Sequence, residues 1–118
     1  MNLQELSALT EPKLNELLLS YDMWKYNQET NQVSKKCKDT TVFFSLNEFS
    51  PFTKTTQADI ILQCSCLDFS GIQQDENNKW GLMVFEDKKK KYLILESDSK
   101  IKSSLLFLLA VKSGLLQP

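Results

Sequence analysis

The sequence predicts an α+β fold: a small single domain of 118 residues, with an antiparallel sheet whose C-terminal hairpin packs against N-terminal, middle and C-terminal helices. Three observations predict it. Leucines recur at helical spacing behind Thr10-Glu11-Pro12. Two apolar runs, Trp80–Glu86 and 92–96, flank Asp87 and a stretch of lysines. A third run of seven apolar residues, 105–111, stops three residues before Gly114.

The first helix is placed at about residues 10–21, behind a looser turn at 3–8. Thr10 is its expected cap, Glu11 an acid for its first turn, and Pro12 sits where no N–H is needed. Leu14, Leu17, Leu18 and Tyr21 form the apolar face, with Lys13, Asn15, Glu16 and Ser20 toward water. Residues 22–40 are mostly polar and read as an irregular hairpin carrying Met23, Trp24, Tyr26 and Val33. Thr40–Ser45 is β-branched and aromatic, a strand. After a turn through Ser50-Pro51, a second helix runs from 53 to 63, with Thr56 and Asp59 spaced as a capping box and Ala58, Ile61 and Leu62 as its stripe.

Residues 66–72 read as a strand broken at Gly71, and 75–79 as a turn. The two strands of the hairpin have continuous rather than alternating apolar runs, which predicts cover on both faces. Asp98 or Ser99 caps the last helix at about 99–113, with Lys112 in the last turn and Gly114 behind it. That helix is apolar nearly all round, so something must cover every side of it. The covers open to it are the first helices, a second subunit, which makes a homodimer through the C-terminal helix, or another partner.

Composition excludes several functions. The chain has 14 basic residues, all Lys, against 15 acids, for a net charge of −1, and it has no His. Nucleic-acid binders need a basic face and favour bidentate Arg, so no nucleic-acid partner is expected. Without imidazole, Ser-His-Asp and Cys-His catalysis are impossible. The longest apolar run is far below the roughly 20 residues of a membrane span, so no membrane partner is expected either. The start, Met1-Asn2-Leu3-Gln4-Glu5, has neither the basic nor the apolar part of a signal peptide. An odd count of three cysteines is not a secreted disulfide framework. The expectation is a soluble, reduced, cytoplasmic protein.

Cys64-x-Cys66 has neither the redox spacing C-x-x-C nor the second ligand pair of a zinc site, since only Cys37 remains. All three read as structural thiols, and no metal, cofactor or catalytic residue is assigned. The lysines at 88–91 read as a solvated hairpin tip that blocks edge pairing. Asp75, Glu76, Glu86, Asp87, Glu96 and Asp98 fall at strand ends and turns, where acids are ordinary. Trp24 and Tyr26 lie in a polar stretch, as interface anchors do. The candidate partner-binding residues are therefore Trp24, Tyr26, Glu76, Glu86, Phe107 and Val111.

Three stretches carry a family resemblance. A helix runs into an aromatic stretch between Leu14 and Trp24, and Phe49-Ser50-Pro51-Phe52-Thr53-Lys54-Thr55-Thr56-Gln57-Ala58 leads into the middle helix. A strand opens at Trp80, and an apolar helix ends at Gly114. In these the chain resembles the small phage and prophage ABA-sandwich domain family. It departs from that family in having Leu rather than Ala dominate the last helix, and Ile60 after Ala58-Asp59. The resemblance implies a helix–sheet–helix sandwich and a phage or prophage accessory role, and it carries no catalytic residues.

The functional expectation is a non-catalytic protein-binding accessory protein of phage or mobile-element origin, an inhibitor occupying a surface of a host or defence protein. The alternative is a cytosolic immunity protein that blocks the active site of a nuclease-type toxin. A cluster of acids drawn from Glu29, Asp68, Asp75, Glu76, Glu86 and Asp98 favours the alternative. An enzyme would have to work with Asp/Glu, Lys, Tyr or Cys alone.

Overall fold

The computed structural model describes residues 1–87 and 90–117. The fold is α+β, with two three-stranded antiparallel sheets instead of the one expected. The chain groups into two compact units, residues 10–66 and residues 1–9 with 67–118.

The short helix α1 (Leu3–Ser7) belongs to the other unit, and the first element of the unit at 10–66 is α2 (Glu11–Tyr21). Thr10 occupies the N-cap position of α2 without a side-chain bond, and Pro12 stands in the first turn. Leu14 and Leu18 are fully buried, each contributing about 1.5–3 kcal/mol of apolar burial. Asn15, expected in water, is buried as well, because its Oδ1 accepts the Phe52 backbone N–H at 3.1 Å. The strands β1 (Lys25–Asn27), β2 (Gln32–Cys37) and β3 (Thr40–Ser45) follow in spatial order β1-β2-β3. The irregular hairpin expected at 22–40 is thus β1 and β2. Asn27 shapes its loop by accepting the Glu29 and Thr30 backbone N–H groups.

Register puts Tyr26, Val33 and Phe44 in one row and Lys25, Ser34 and Phe43 in the next, on the opposite face. Val33 is buried and Phe43 is 59% exposed, so the first row marks the packed face and the second the open one. A 3₁₀ turn, Leu46–Glu48, leads to α3 (Thr55–Ser65). The predicted Thr56/Asp59 capping box does not form: Lys54 is the N-cap, and its side chain does not cap the helix but donates to the Glu48 carbonyl. Gln57 ties the preceding turn instead, accepting from Ser50 N and donating to Glu48 O, both at 2.8 Å.

The second unit contains α1, β4 (Ile72–Gln74), β5 (Trp80–Glu86), β6 (Lys90–Ser97) and α4 (Lys100–Lys112), with strand order β4-β5-β6. α1 carries a complete capping box between Asn2 and Glu5. The strand expected at 66–72 is displaced to Ile72–Gln74. Cys66 takes a left-handed conformation that ends α3, and Asp68 accepts from Ser70 N in a turn, so the backbone there is not extended. The hairpin β5–β6 forms as predicted. Its lysines 88 and 89 lie outside the described residues. Cover on both faces does not reach its far end, where Phe85 is 71% exposed and Tyr92 is also exposed.

The helix α4 packs across all three strands, and α1 packs on β6 and α4. Of the helices expected against the hairpin, only α4 shares its unit: α2, the expected N-terminal helix, and α3 belong to the other, and α1, expected as a looser turn, stands in the hairpin's unit instead. Ser99 caps α4 by accepting from Lys102 N, and Gly114 follows it with φ +81, closing the end as predicted. Leu105, Leu106, Leu108 and Leu109 are fully buried within this chain. That leaves Ile101, Phe107 and Val111 part-exposed on the helix expected to form a homodimer.

Candidate protein-docking groove

The turn at 75–79 is built by Asp75, whose Oδ1 accepts the Asn77 and Lys79 backbone N–H groups at 2.9 Å each. This turn and Gln74, the last residue of β4, form one wall of a groove of about 400 Å³. Met83 and Leu93, directly opposite in the hairpin register, supply an apolar floor, with Tyr92 and Lys91 beside them. Asp75, Glu76 and Glu96 line it with carboxylates, three against the single lysine. Glu76 and Glu96 are both exposed. Next to this wall Lys79 pairs with Asp98. The hydrogen bond and charge of Asp98 raise the Lys79 ammonium above its ordinary value, and Lys79 holds the Asp98 carboxyl below its own.

The six candidate residues divide between the units. Tyr26 is exposed on β1 and donates its hydroxyl proton to Asn31 Oδ1 at 2.9 Å. Trp24 is half-buried: its ring packs against Phe44 and Phe49, and its Nε1 donates to Asp22 Oδ2 at 3.1 Å. The ring thus packs within its own unit while keeping part of its surface exposed. In the other unit Glu76 lines the groove, Glu86 is exposed at the end of β5, and Phe107 stands edge-on to Phe69 with ring centres 5.7 Å apart. Val111 is part-exposed in the last turn of α4. Of the four in this unit, only Glu76 belongs to the groove.

Met83, Tyr92 and Leu93 were missed as site residues. The signal was present in the hairpin register, which places Met83 beside Leu93, but composition alone does not say which face of a continuously apolar strand stays open. In the sequence Glu96 is one acid among several at strand ends and turns.

The cysteines need a larger correction. Cys37 at the end of β2 and Cys64 in α3 form a disulfide, and Cys66 alone is free and exposed. Three reduced structural thiols were expected. Cys37 lies 27 residues from Cys64, and only the packing of α3 beside the end of β2 brings their Cα atoms to 5.2 Å.

Among the described residues no three His, Cys, Asp or Glu side chains gather as metal ligands, and no helix is long and apolar enough to cross a membrane. Compared with known proteins, the chain matches no family model, no curated protein and no solved structure.

Proposed function

We propose that this chain is a non-catalytic protein-binding protein, and that the groove of the β4–β5–β6 unit takes a partner segment bearing an apolar side chain flanked by lysine or arginine. The observation that carries the reading is the combination of an apolar floor, Met83 and Leu93, with a rim of Asp75, Glu76 and Glu96. An apolar contact supplies affinity, and the surrounding carboxylates select a basic segment and speed its approach. The phage or mobile-element origin rests on the family resemblance of the three sequence stretches, and the inhibitory role follows from it.

The immunity-protein reading draws support from the same place. Two of the acids that would favour it, Asp75 and Glu76, line one groove, and a third, Asp98, pairs with Lys79 of the adjoining turn. A nuclease active site is basic, so this surface suits it electrostatically.

Affinity capture from the native host, with mass spectrometry of bound proteins, tests both. The wild-type chain is expected to retain a partner that the Glu76→Lys/Glu96→Lys double variant releases at moderate salt. A toxin nuclease among the retained proteins selects the immunity role, and a host defence subunit selects the inhibitor role. Equal retention by wild type and double variant overturns the groove as the docking site.

A further inference from the structure

The two sheets treat their long outer strands differently. In the β4–β5–β6 sheet the outer strand β6 carries Lys90 and Lys91, is interrupted by a bulge at Leu95, and has α1 packed on it. Each of these blunts an edge. In the other sheet β1 is only three residues long, but β3 is six, Thr-Thr-Val-Phe-Phe-Ser, with no charge and no proline. Thr41 and Phe43 are exposed on it.

The ladder fixes which backbone groups of β3 are free for pairing. The two-residue loop Lys38-Asp39 closes on the pair Cys37–Thr40, and at the other end Leu46 N donates to Asn31 O. In an antiparallel ladder alternate residues face the neighbouring strand. Thr40, Val42 and Phe44 therefore turn their N–H and C=O toward β2, Thr41 and Phe43 turn both outward, and Ser45 turns its N–H outward while its C=O starts the 3₁₀ turn.

We infer that β3 pairs antiparallel with β3 of a second copy of this chain about a two-fold axis through Phe43. The outward set, Thr41, Phe43 and Ser45, reads hydroxyl, aromatic, hydroxyl from either end, so a second copy meets it in register. Phe43 then faces Phe43 of the partner subunit, and Thr41 faces Ser45 of the partner subunit. Opposite residues of an antiparallel pair share a face. This register joins the open faces of the two sheets and the packed faces likewise, giving a continuous six-stranded sheet. Charge permits it, since Thr40–Ser45 contains no lysine or carboxylate that would meet its own kind. A single strand pair lies below the roughly 1,200 Å² of stable interfaces, so the dimer forms and dissociates with concentration.

The test is sedimentation combined with residue-resolved amide exchange, on dilute and concentrated protein. The expected result is a mass that rises toward twice the 13.6 kDa protomer on concentration, with Thr41, Phe43 and Ser45 amides gaining protection while Val42 and Phe44 are protected throughout. Phe43→Lys is expected to remain monomeric at every concentration with an unchanged circular dichroism spectrum, since the side chain is largely in solvent. A chain that stays monomeric when concentrated overturns the inference, and so does a dimer that Phe43→Lys leaves intact or one whose new protection falls on α4. The Glu76→Lys/Glu96→Lys variant should dimerise like wild type, which separates this result from failure of the groove.

Discussion

The Ser103 hydroxyl of α4 lies 3.0 Å from the carbonyl oxygen of Leu95, the one residue inside a strand, among those described, whose backbone is left-handed. Leu95 is the extra residue of β6: Trp80 pairs with Ser97 and Leu82 with Ile94, so three steps on β6 oppose two on β5. Left-handed backbone costs a leucine about 1–2 kcal/mol. The bulge is held because Leu95 is buried, and because Ser103 also reaches the Trp80 carbonyl at 3.0 Å and the Ser97 hydroxyl at 2.8 Å. Ser103→Ala should therefore destabilise the chain by roughly 1–3 kcal/mol, the cost of leaving a buried carbonyl short of the one proton this hydroxyl supplies. Urea unfolding measures this as a lower midpoint with an unchanged slope, and an unchanged midpoint would mean the hydroxyl is dispensable to the bulge.

Asp22, at 2% exposure, accepts from Lys35 Nζ at Oδ1, 2.6 Å, and again at its own carbonyl oxygen. Lys35 stands on the packed face of β2, so the pair ties the end of α2 to that sheet. Removing one member of a buried pair costs about 3–5 kcal/mol, because the other charge stays behind. Lys35→Met should lower the chemical-denaturation midpoint strongly, and Asp22→Asn in the Lys35→Met background should recover part of the loss. A double variant weaker than Lys35→Met by the full cost of an independent site would show that the two side chains do not act as a pair.

The Cys37–Cys64 bond closes a segment of 27 residues of sequence separation. In the chain-entropy description such a closure is worth roughly 2–4 kcal/mol, mostly by restricting the unfolded chain. Reducing agent should lower the melting temperature of the wild type and leave Cys37→Ser/Cys64→Ser unaffected. Thiol labelling of the native, unreduced protein should modify Cys66 alone. Three labelled thiols in the native state would restore the reduced reading of the sequence.

Lys79 and Asp98 give the pH dependence a definite sign. Asp98 titrates below its ordinary 3.8 because it accepts a hydrogen bond from Lys79 and feels its charge. Its contribution to folding is therefore present above 3.8 and is lost as pH falls through the depressed value. Lys79 titrates above 10.5, so its contribution is present below 10.5 and is lost only at still higher pH. Both groups are at the surface, and salt should weaken the effect. Carboxyl titration by NMR should show Asp98 low in the wild type and raised toward its ordinary value in Lys79→Gln. A titration that Lys79→Gln does not move would rule out this pair as the cause.

Much of the site was legible only in pieces. The turn acids Asp75 and Glu76 and the hairpin were visible in the chain, and so was Glu96, but not their convergence on Met83 and Leu93. That convergence depends on strand register, which the turn and the bulge set jointly. Trp24 was conspicuous for being aromatic in a polar stretch, yet Phe44 and Phe49, from β3 and the following turn, share its surroundings.

Local patterns by themselves determined the kinds of element and their order. Leucine spacing set α2 and α4, β-branched and aromatic runs set β3, β5 and β6, and Gly114 marked the end of α4. These are decided by neighbours within a few residues, through helix periodicity, strand preference and capping. Only the tertiary structure decided that the strands divide into two sheets, that Asn15 and Gln57 are buried to bind the backbone at 48–52, that Cys37 finds Cys64, and that β6 bulges at Leu95. Each of these joins residues far apart in the chain, or depends on a partner strand or helix, and the spacing of neighbours carries no record of which distant group a side chain will meet.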